Sequence, residues 1–417
     1  MSAPTQREEF QPNLFGPAFR ADPYPTYARL QVEDPVHART NARGVTTWYV
    51  TGYDDVAAIL RDHTRFVKDF RHTLTPADLA ALPAEPPLLQ LVSRHMLNMD
   101  PPDHTRLRAL VNKAFTARMI EQLAPRVQAI ADELLAPVLP RGRMDLIEDF
   151  AFPLPIIVIA ELLGVPPADR NRFRAWSRAL VAPSPDVART LQKFVKAQQT
   201  MAEFVDYLRA ICAERRRTPR DDLLTALLQA EDGGDTLRED ELFSMILLLV
   251  VVGHETSVNL IGNGMLALLQ HPAAPAQVRA EPTLIDGALD EMLRYDCPVE
   301  RAPMRFAATD VELHGRTVRR GDSVSLVLGA ANRDPRIFAA PTAFDIHRAN
   351  NRHLAFGLGI HYCLGAALGR LEGRVAVNTL LQRCPDIRLA VAPDALRRHA
   401  NPIMRGVHHL PVIWSTR

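Results

Sequence analysis

The sequence predicts a mainly α protein with small β elements. Three observations carry that expectation. A long apolar stretch at about 237–270 has helical character throughout. Helical patterns broken by Pro and Gly follow one another from 103 to about 230. Alternation with turn residues is confined to short stretches. The chain has 417 residues, 47 % of them hydrophobic, enough to enclose a large core. No shift in composition demands a split, so residues 1–417 are read as a single domain.

Each element has its own signal. TTWYVTGYDDVAAILRD, residues 46–62, reads as strand, turn and helix. Residues 70–90 are rich in Pro, Ala and Leu and read as an irregular loop. Ahead of the long helix, Thr236 and Glu239 spell a capping box, T-L-R-E. A shorter helix is expected at about 283–295. Residues 305–328 alternate and carry turn signals, which predicts short strands. A final helix is expected over 364–382, with strand and turn at the end.

Composition excludes several classes. The formal net charge of +1 gives no electrostatic reason for a nucleic acid or an anionic membrane as partner. The four cysteines, Cys212, Cys297, Cys363 and Cys384, form no CxxC pair and no zinc-like spacing. Reduced thiols in the cytoplasm are the expectation. The N-terminus has no hydrophobic signal core. The longest apolar run, MILLLVVV at 245–252, is far shorter than the roughly 20 residues of a membrane span.

The stretch HLAFGLGIHYCLGAALGR, residues 353–370, places one thiol in a glycine-rich loop before a helix. A thiolate can ligate iron. Orphan N–H groups at the helix start would stabilise it. Glycines let backbone pass close to a flat macrocycle, and Phe356 is placed to shield the sulfur. A lone cysteine here would read as a buried thiol in a turn. The spacing F-G-x-G-x-H-x-C-x-G, carried by Phe356, Gly357, Gly359, His361, Cys363 and Gly365, decides otherwise. It resembles, position for position, the haem-binding loop of the cytochrome P-450 family, the haem-thiolate monooxygenases. That resemblance implies haem b, with Cys363 as the thiolate metal ligand. Phe356, Gly357, Leu364 and Gly365 would lie against it.

Other motifs extend the resemblance. VVGHETSVNL at 251–260 sets Glu255 and Thr256 side by side in an apolar helix. A buried carboxylate is costly without a partner or a task. Gly253 weakens the helix by about 1 kcal/mol against Ala and leaves space for a small ligand. By resemblance to the family's G-x-E-T, Thr256 lies beside the dioxygen site and Glu255 serves a proton relay, with Gly253 between helix and ligand. The family commonly has Ala or Gly where Val252 stands, so the valine is expected to narrow the pocket. Glu291 and Arg294 share a helix face. With Arg348 they resemble the family's structural ion network. His104 and Arg108 also share a face and could clamp a carboxylate. By resemblance these two, with Arg305 and His361, hold the two haem propionates. Met96 and Leu97 would touch the haem edge or the substrate space.

The resemblance covers about residues 20–412 and implies the family fold, a triangular helical prism whose long central helix crosses the haem. The implied reaction inserts one oxygen atom of O2 into a C–H bond of a hydrophobic small molecule, by hydroxylation or epoxidation. Leu88, Leu91, Leu248, Val252, Val299, Ile403 and Met404 would line the substrate pocket; Arg301 and Arg405 could face inward and meet a substrate carboxylate, but surface positions are the commoner reading for arginine. No dinucleotide fingerprint, flavin motif or iron–sulfur cysteine set lies in the chain. Electrons are therefore expected from a separate ferredoxin or flavodoxin and its reductase, delivered to a monomer. Arg106, Lys113, Arg118, Arg370 and Arg374 are candidates for docking such an acidic partner. A peroxide-driven peroxygenase and a non-catalytic haem sensor are the rival readings. The Glu255–Thr256 pair argues against both, because neither requires a relay for dioxygen activation. A zinc or thiol enzyme using Cys363 as nucleophile is a third rival.

Overall fold

The long apolar stretch forms one helix of 31 residues, Glu239–Leu269, in the computed structural model, which describes residues 10–42, 44–85, 93–181 and 187–416. A helix apolar on all faces must be enclosed by others. This one packs against Pro153–Leu162, Ile285–Tyr295 and Ala366–Arg383. By length and composition it could cross a membrane, yet 67 % of its most apolar window is buried inside the protein.

The central helix does not start on the expected box. Asp235–Thr236 is the second leg of a two-residue hairpin with Glu231–Asp232, so Thr236 is held in extended backbone. The cap shifts two residues along. The Glu241 carboxylate accepts the Arg238 backbone N–H at 3.0 Å. Its side chain is fully buried, and the guanidinium groups of Arg106 and Arg238 both pair with it.

The strand, turn and helix at 46–62 form as expected, as Thr46–Val50 and Tyr53–Arg61. Thr46–Val50 lies in a five-stranded sheet in the order Val36–Thr40, Thr46–Val50, Ser323–Leu326, Arg305–Ala307, Phe66–Val67. A three-stranded sheet joins Arg388–Leu389, Pro411–Ile413 and Arg143–Asp145. Part of the expected loop at 70–90 is ordered. Asp69 caps the short turn Phe70–Thr73, and Thr75 caps Pro76–Ala80 by accepting the Asp78 N–H at 3.2 Å. A capping hydroxyl followed by Pro at the first helical position is a start signal that outweighed the loop-like composition. The helical run 103–230 hides a π-turn, Ile147–Ala151, where the Phe152 N–H reaches the Ile147 carbonyl at 2.8 Å.

One buried polar network ties the core to the cysteine loop. The Glu291 and Arg294 side chains are fully buried and paired at 2.7 Å. Arg348 donates to Glu291 at 3.0 Å, as do the Asp345 N–H at 2.8 Å and Asn351 at 3.1 Å. The remaining Arg294 donors reach the carbonyls of Asn332, Pro341 and Ala343. Asn332 in turn accepts the Leu354 N–H at 2.6 Å, where the cysteine loop begins. Removing one partner of such a network leaves buried charge unanswered. Glu291→Ala should therefore lower unfolding free energy by about 3–5 kcal/mol in a urea titration. A loss below about 1 kcal/mol would show that the network carries no structural weight.

Candidate active site

The cysteine loop is built on glycines in the left-handed region. Gly357 has φ +67° and Gly359 φ +72°. A Cβ at Gly359 would stand 2.5 Å from the Leu60 carbonyl oxygen, so only glycine lets the loop seat on the end of helix Tyr53–Arg61. The Cys363 N–H donates to the Phe356 carbonyl at 2.9 Å, closing the loop. Helix Ala366–Arg383 begins three residues later. Burial pushes the Cys363 thiol up, while the Gly365 N–H donated to the sulfur and the Arg108 charge pull it down. The side chain is nonetheless exposed. Sulfur that is both accessible and crowded by protein faces a sheltered opening rather than bulk solvent.

The central helix supplies the other side. From Glu241 to Leu268 every residue is buried except a strip formed by Leu248, Val251, Val252, Gly253, Glu255 and Thr256. Gly253 is exposed, and a Cβ built there, or on Gly365, meets nothing within 4 Å. The helix backbone does not break at Gly253. Instead Thr256 Oγ1 donates to the Val252 carbonyl at 2.8 Å, and Ser257 Oγ to the Gly253 carbonyl at 3.3 Å. Thr256 thereby gives up its one proton and keeps its lone pairs to accept. Burial alone pushes the Glu255 carboxyl up to about 7. His254 turns away and bonds the Phe152 carbonyl at 3.2 Å.

A third group gathers buried ring and guanidinium nitrogens that lack hydrogen-bond partners among the described residues. His104 is buried and its ring lies 4.3 Å from that of His361. Both ring nitrogens of His104, Nε2 of His361 and Nε of Arg305 are buried without a hydrogen-bond partner. Burial, with the nearby Arg108 charge, pushes His104 down to about 4, and burial with neighbouring His104 and Arg305 pushes His361 to about 2. Burial brings Arg305 down to about 10. Arg108 donates to the Tyr362 carbonyl at 2.9 Å, so helix Asp103–Ala114 and the cysteine loop are directly joined. Buried donors left unmade are expensive. This set suits a ligand that carries carboxylates.

The chain matches the sequence model of cytochrome P450 over residues 171–386. PikC, a cytochrome P450 monooxygenase of Streptomyces venezuelae, is 48 % identical over 402 residues, covering 96 % of this chain and 92 % of PikC. The chain belongs to the cytochrome P450 family. Among solved structures, the polyketide synthase cytochrome P450 PksS of Bacillus subtilis superposes with a TM-score of 0.90 at 41 % identity, covering 97 % of this chain and 100 % of that one. A myxobacterial cytochrome P450, CYP267B1, solved with myristic acid, gives a TM-score of 0.87 at 44 % identity, again with 97 % and 100 % covered. As a member of the family this P450 is a haem-thiolate monooxygenase. It inserts one oxygen atom of O2 into hydrophobic small molecules and receives electrons from redox partners.

The residues present fit a haem. Cys363 is accessible, a Cβ on Gly253 or Gly365 would meet nothing within 4 Å, and the unpartnered nitrogens of His104, Arg305 and His361 suit two propionates. Phe356, Gly357, Leu364 and Gly365 are half-buried around the sulfur. Met96 is buried and Leu97 half-buried in the turn Met96–Asn98. Val299 and Met404 form an antiparallel bridge, whereas Ile403 is 39 % exposed. Leu88 and Leu91 lie outside the described residues.

One further sequence expectation is corrected. Arg301 and Arg405 are buried but already engaged. Arg405 pairs with Asp296 at 2.6 Å and donates to the carbonyls of Arg20 and Ala21. Arg301 donates to the Leu14 carbonyl at 3.2 Å within the rings of Phe15, Phe19 and Tyr49. Burial required partners for both charges, and Asp296, Glu300 and carbonyls of the N-terminal segment supply them. Of the basic docking candidates, Arg106, Lys113, Arg370 and Arg374 already form ion pairs with Asp235, Asp232, Asp290 and Asp286. Arg118 is exposed.

Sequence reading missed two buried groups. Lys68 donates to the carbonyls of Pro303 and Met304 at 3.0 and 2.6 Å, and burial brings it down to about 7. Glu372 is wholly buried beside Ser257, with one carboxyl oxygen unpartnered, and burial raises it to about 8. A glutamate in LEGR carries no periodicity that separates it from a solvated one. Its raised value means that the folded state holds the proton more tightly than the unfolded chain. The stability this adds is present below about 4.5 and is lost as pH rises through about 8. Glu372→Gln should therefore flatten the fall of the urea midpoint across that window. An unchanged slope would place the titration elsewhere.

Proposed function

We propose that Cys363 is the axial ligand of haem b and that the enzyme hydroxylates or epoxidises a hydrophobic substrate. One observation carries this reading. An accessible thiol before a helix, a single open strip on the otherwise buried central helix, and unpartnered buried nitrogens occur together in a chain of the cytochrome P450 family. When bound, the haem supplies activation of O2 and oxidation of the C–H bond.

The chain's own groups hold, protonate and exclude. His104, Arg108, Arg305 and His361 bind the propionates and so orient the ring. Glu255 titrates near neutrality, so it can both take a proton from water and release one inward. Thr256 Oγ1, its proton given to the Val252 carbonyl, accepts a hydrogen bond from the proton on its way in. Gly253 keeps the strip open. Leu248, Val252, Val299 and Met404 present apolar surface that excludes water from the reacting carbon, with Ile403 beside them. That lining suits a fatty acyl chain, terpenoid, steroid or polyketide. We further propose a cytoplasmic monomer acting as one domain, with an acidic ferredoxin or flavodoxin and its reductase as electron source.

The reduced protein under carbon monoxide should show a strongly red-shifted Soret band that is lost in Cys363→Ser. A band at the position of histidine-ligated haem would overturn the assignment. Val252→Ala, which removes two methyl groups, should tighten binding of a bulky azole relative to imidazole by at least about 10-fold, the scale of discrimination one methylene gives in an apolar pocket. Equal change across the azole series would remove Val252 from the pocket.

A further inference from the structure

Two basic residues of helix Asp103–Ala114, Arg106 and Lys113, are covered by the chain itself. Residues 231–236, EDGGDT, carry three carboxylates and are exposed throughout. They fold back as a hairpin on Gly233 and Gly234, at φ +61° and +89°. Nothing lies within 4 Å of a Cβ built on either glycine, so the turn stands clear of the body. Its legs face helix Asp103–Ala114. Lys113 Nζ donates to the Glu231 carbonyl at 2.6 Å and to Asp232 at 2.8 Å. Arg106 donates to Asp235 at 3.1 Å. The same helix reaches the cysteine loop through Arg108 and the Tyr362 carbonyl, and the Tyr362 ring beside it is 41 % exposed.

These contacts differ in permanence. Arg106 is also paired with Glu241, whose side chain is fully buried, and that pair stays. The pair Lys113–Asp232 is 51 % exposed on both sides, and Asp235 is 47 % exposed. Exposed pairs are weak and screened by salt, so an incoming carboxylate can replace them at little cost.

We propose that the hairpin Glu231–Thr236 is a built-in competitor for an acidic electron-transfer protein. It neutralises Lys113 in the resting enzyme and yields that cation to the partner's carboxylates on docking. This deepens the proposed partner reading and rests on it. The exchange swaps one exposed ion pair for another, so docking is favourable only where the partner offers several carboxylates at once. Selectivity against weakly acidic proteins follows.

The test uses the full-length, haem-loaded enzyme and a [2Fe–2S] ferredoxin of net negative charge. At about 20 mM ionic strength, Asp232→Asn/Asp235→Asn should bind it about 5-fold more tightly than the parent. The gain should vanish at about 0.5 M salt. It should vanish also when Lys113→Gln is added. The charge-matched Asp22→Asn/Asp394→Asn, elsewhere on the surface, should give little gain. Unchanged or weaker binding, a gain that survives Lys113→Gln, or an equal gain in the charge-matched variant would overturn the proposal. Haem reduction by the bound ferredoxin is read separately. Its failure alongside the predicted binding pattern would overturn the partner reading and leave the hairpin's role intact.

Discussion

Arg305 lies in the interior with no ion pair among the described residues, and the same neighbourhood buries two histidines with unmade hydrogen bonds. Interior positive charge of this kind is unfavourable until an anion meets it. The groups come from three distant parts of the chain: helix Asp103–Ala114, strand Arg305–Ala307 and the cysteine loop. An anion binding among them therefore joins those parts to one another. Cofactor affinity and fold stability are linked, since whatever binds only the folded chain adds its binding free energy to stability.

The ion network at Glu291 shows the opposite condition. There every charge has its partner, and the cluster needs nothing from outside. The contrast separates two uses of buried polarity. Satisfied clusters fix backbone, as Asn332 does for Leu354. Unsatisfied ones await a ligand. Glu255 and Glu372, both pushed upward by burial without a cation, belong to the second kind.

Long periodic features were legible in the sequence, and so were motifs with fixed spacing. The central helix was readable because its apolar character persists over many turns. The cysteine loop was readable because glycine at Gly357 and Gly359 is demanded by backbone geometry. Short capped turns such as Phe70–Thr73 were hidden by composition that looks like loop. The start of the central helix was misread because a local hairpin competes with the cap at Thr236. Partnering of charges was the least legible feature. Whether Arg405 or Lys113 is free depends on carboxylates far away in sequence, Asp296 and Asp232, which no local pattern announces.

The bridge between Val299 and Met404 is held at both ends. Arg301 N–H meets the Ile403 carbonyl at 3.2 Å, and Arg405 N–H meets the Pro298 carbonyl at 2.9 Å. Asn263 of the central helix donates to the carbonyls of both Asp296 and Arg405. One boundary of the proposed substrate space is thus a fixed reference surface, clamped to the same rod that carries Glu255 and Thr256. Diversification toward new substrates has little room to act by shifting that surface. It must instead alter the side chains borne on it. A mutational library aimed at new chemistry would spare Asn263, Asp296 and Arg405 and vary what they hold in place.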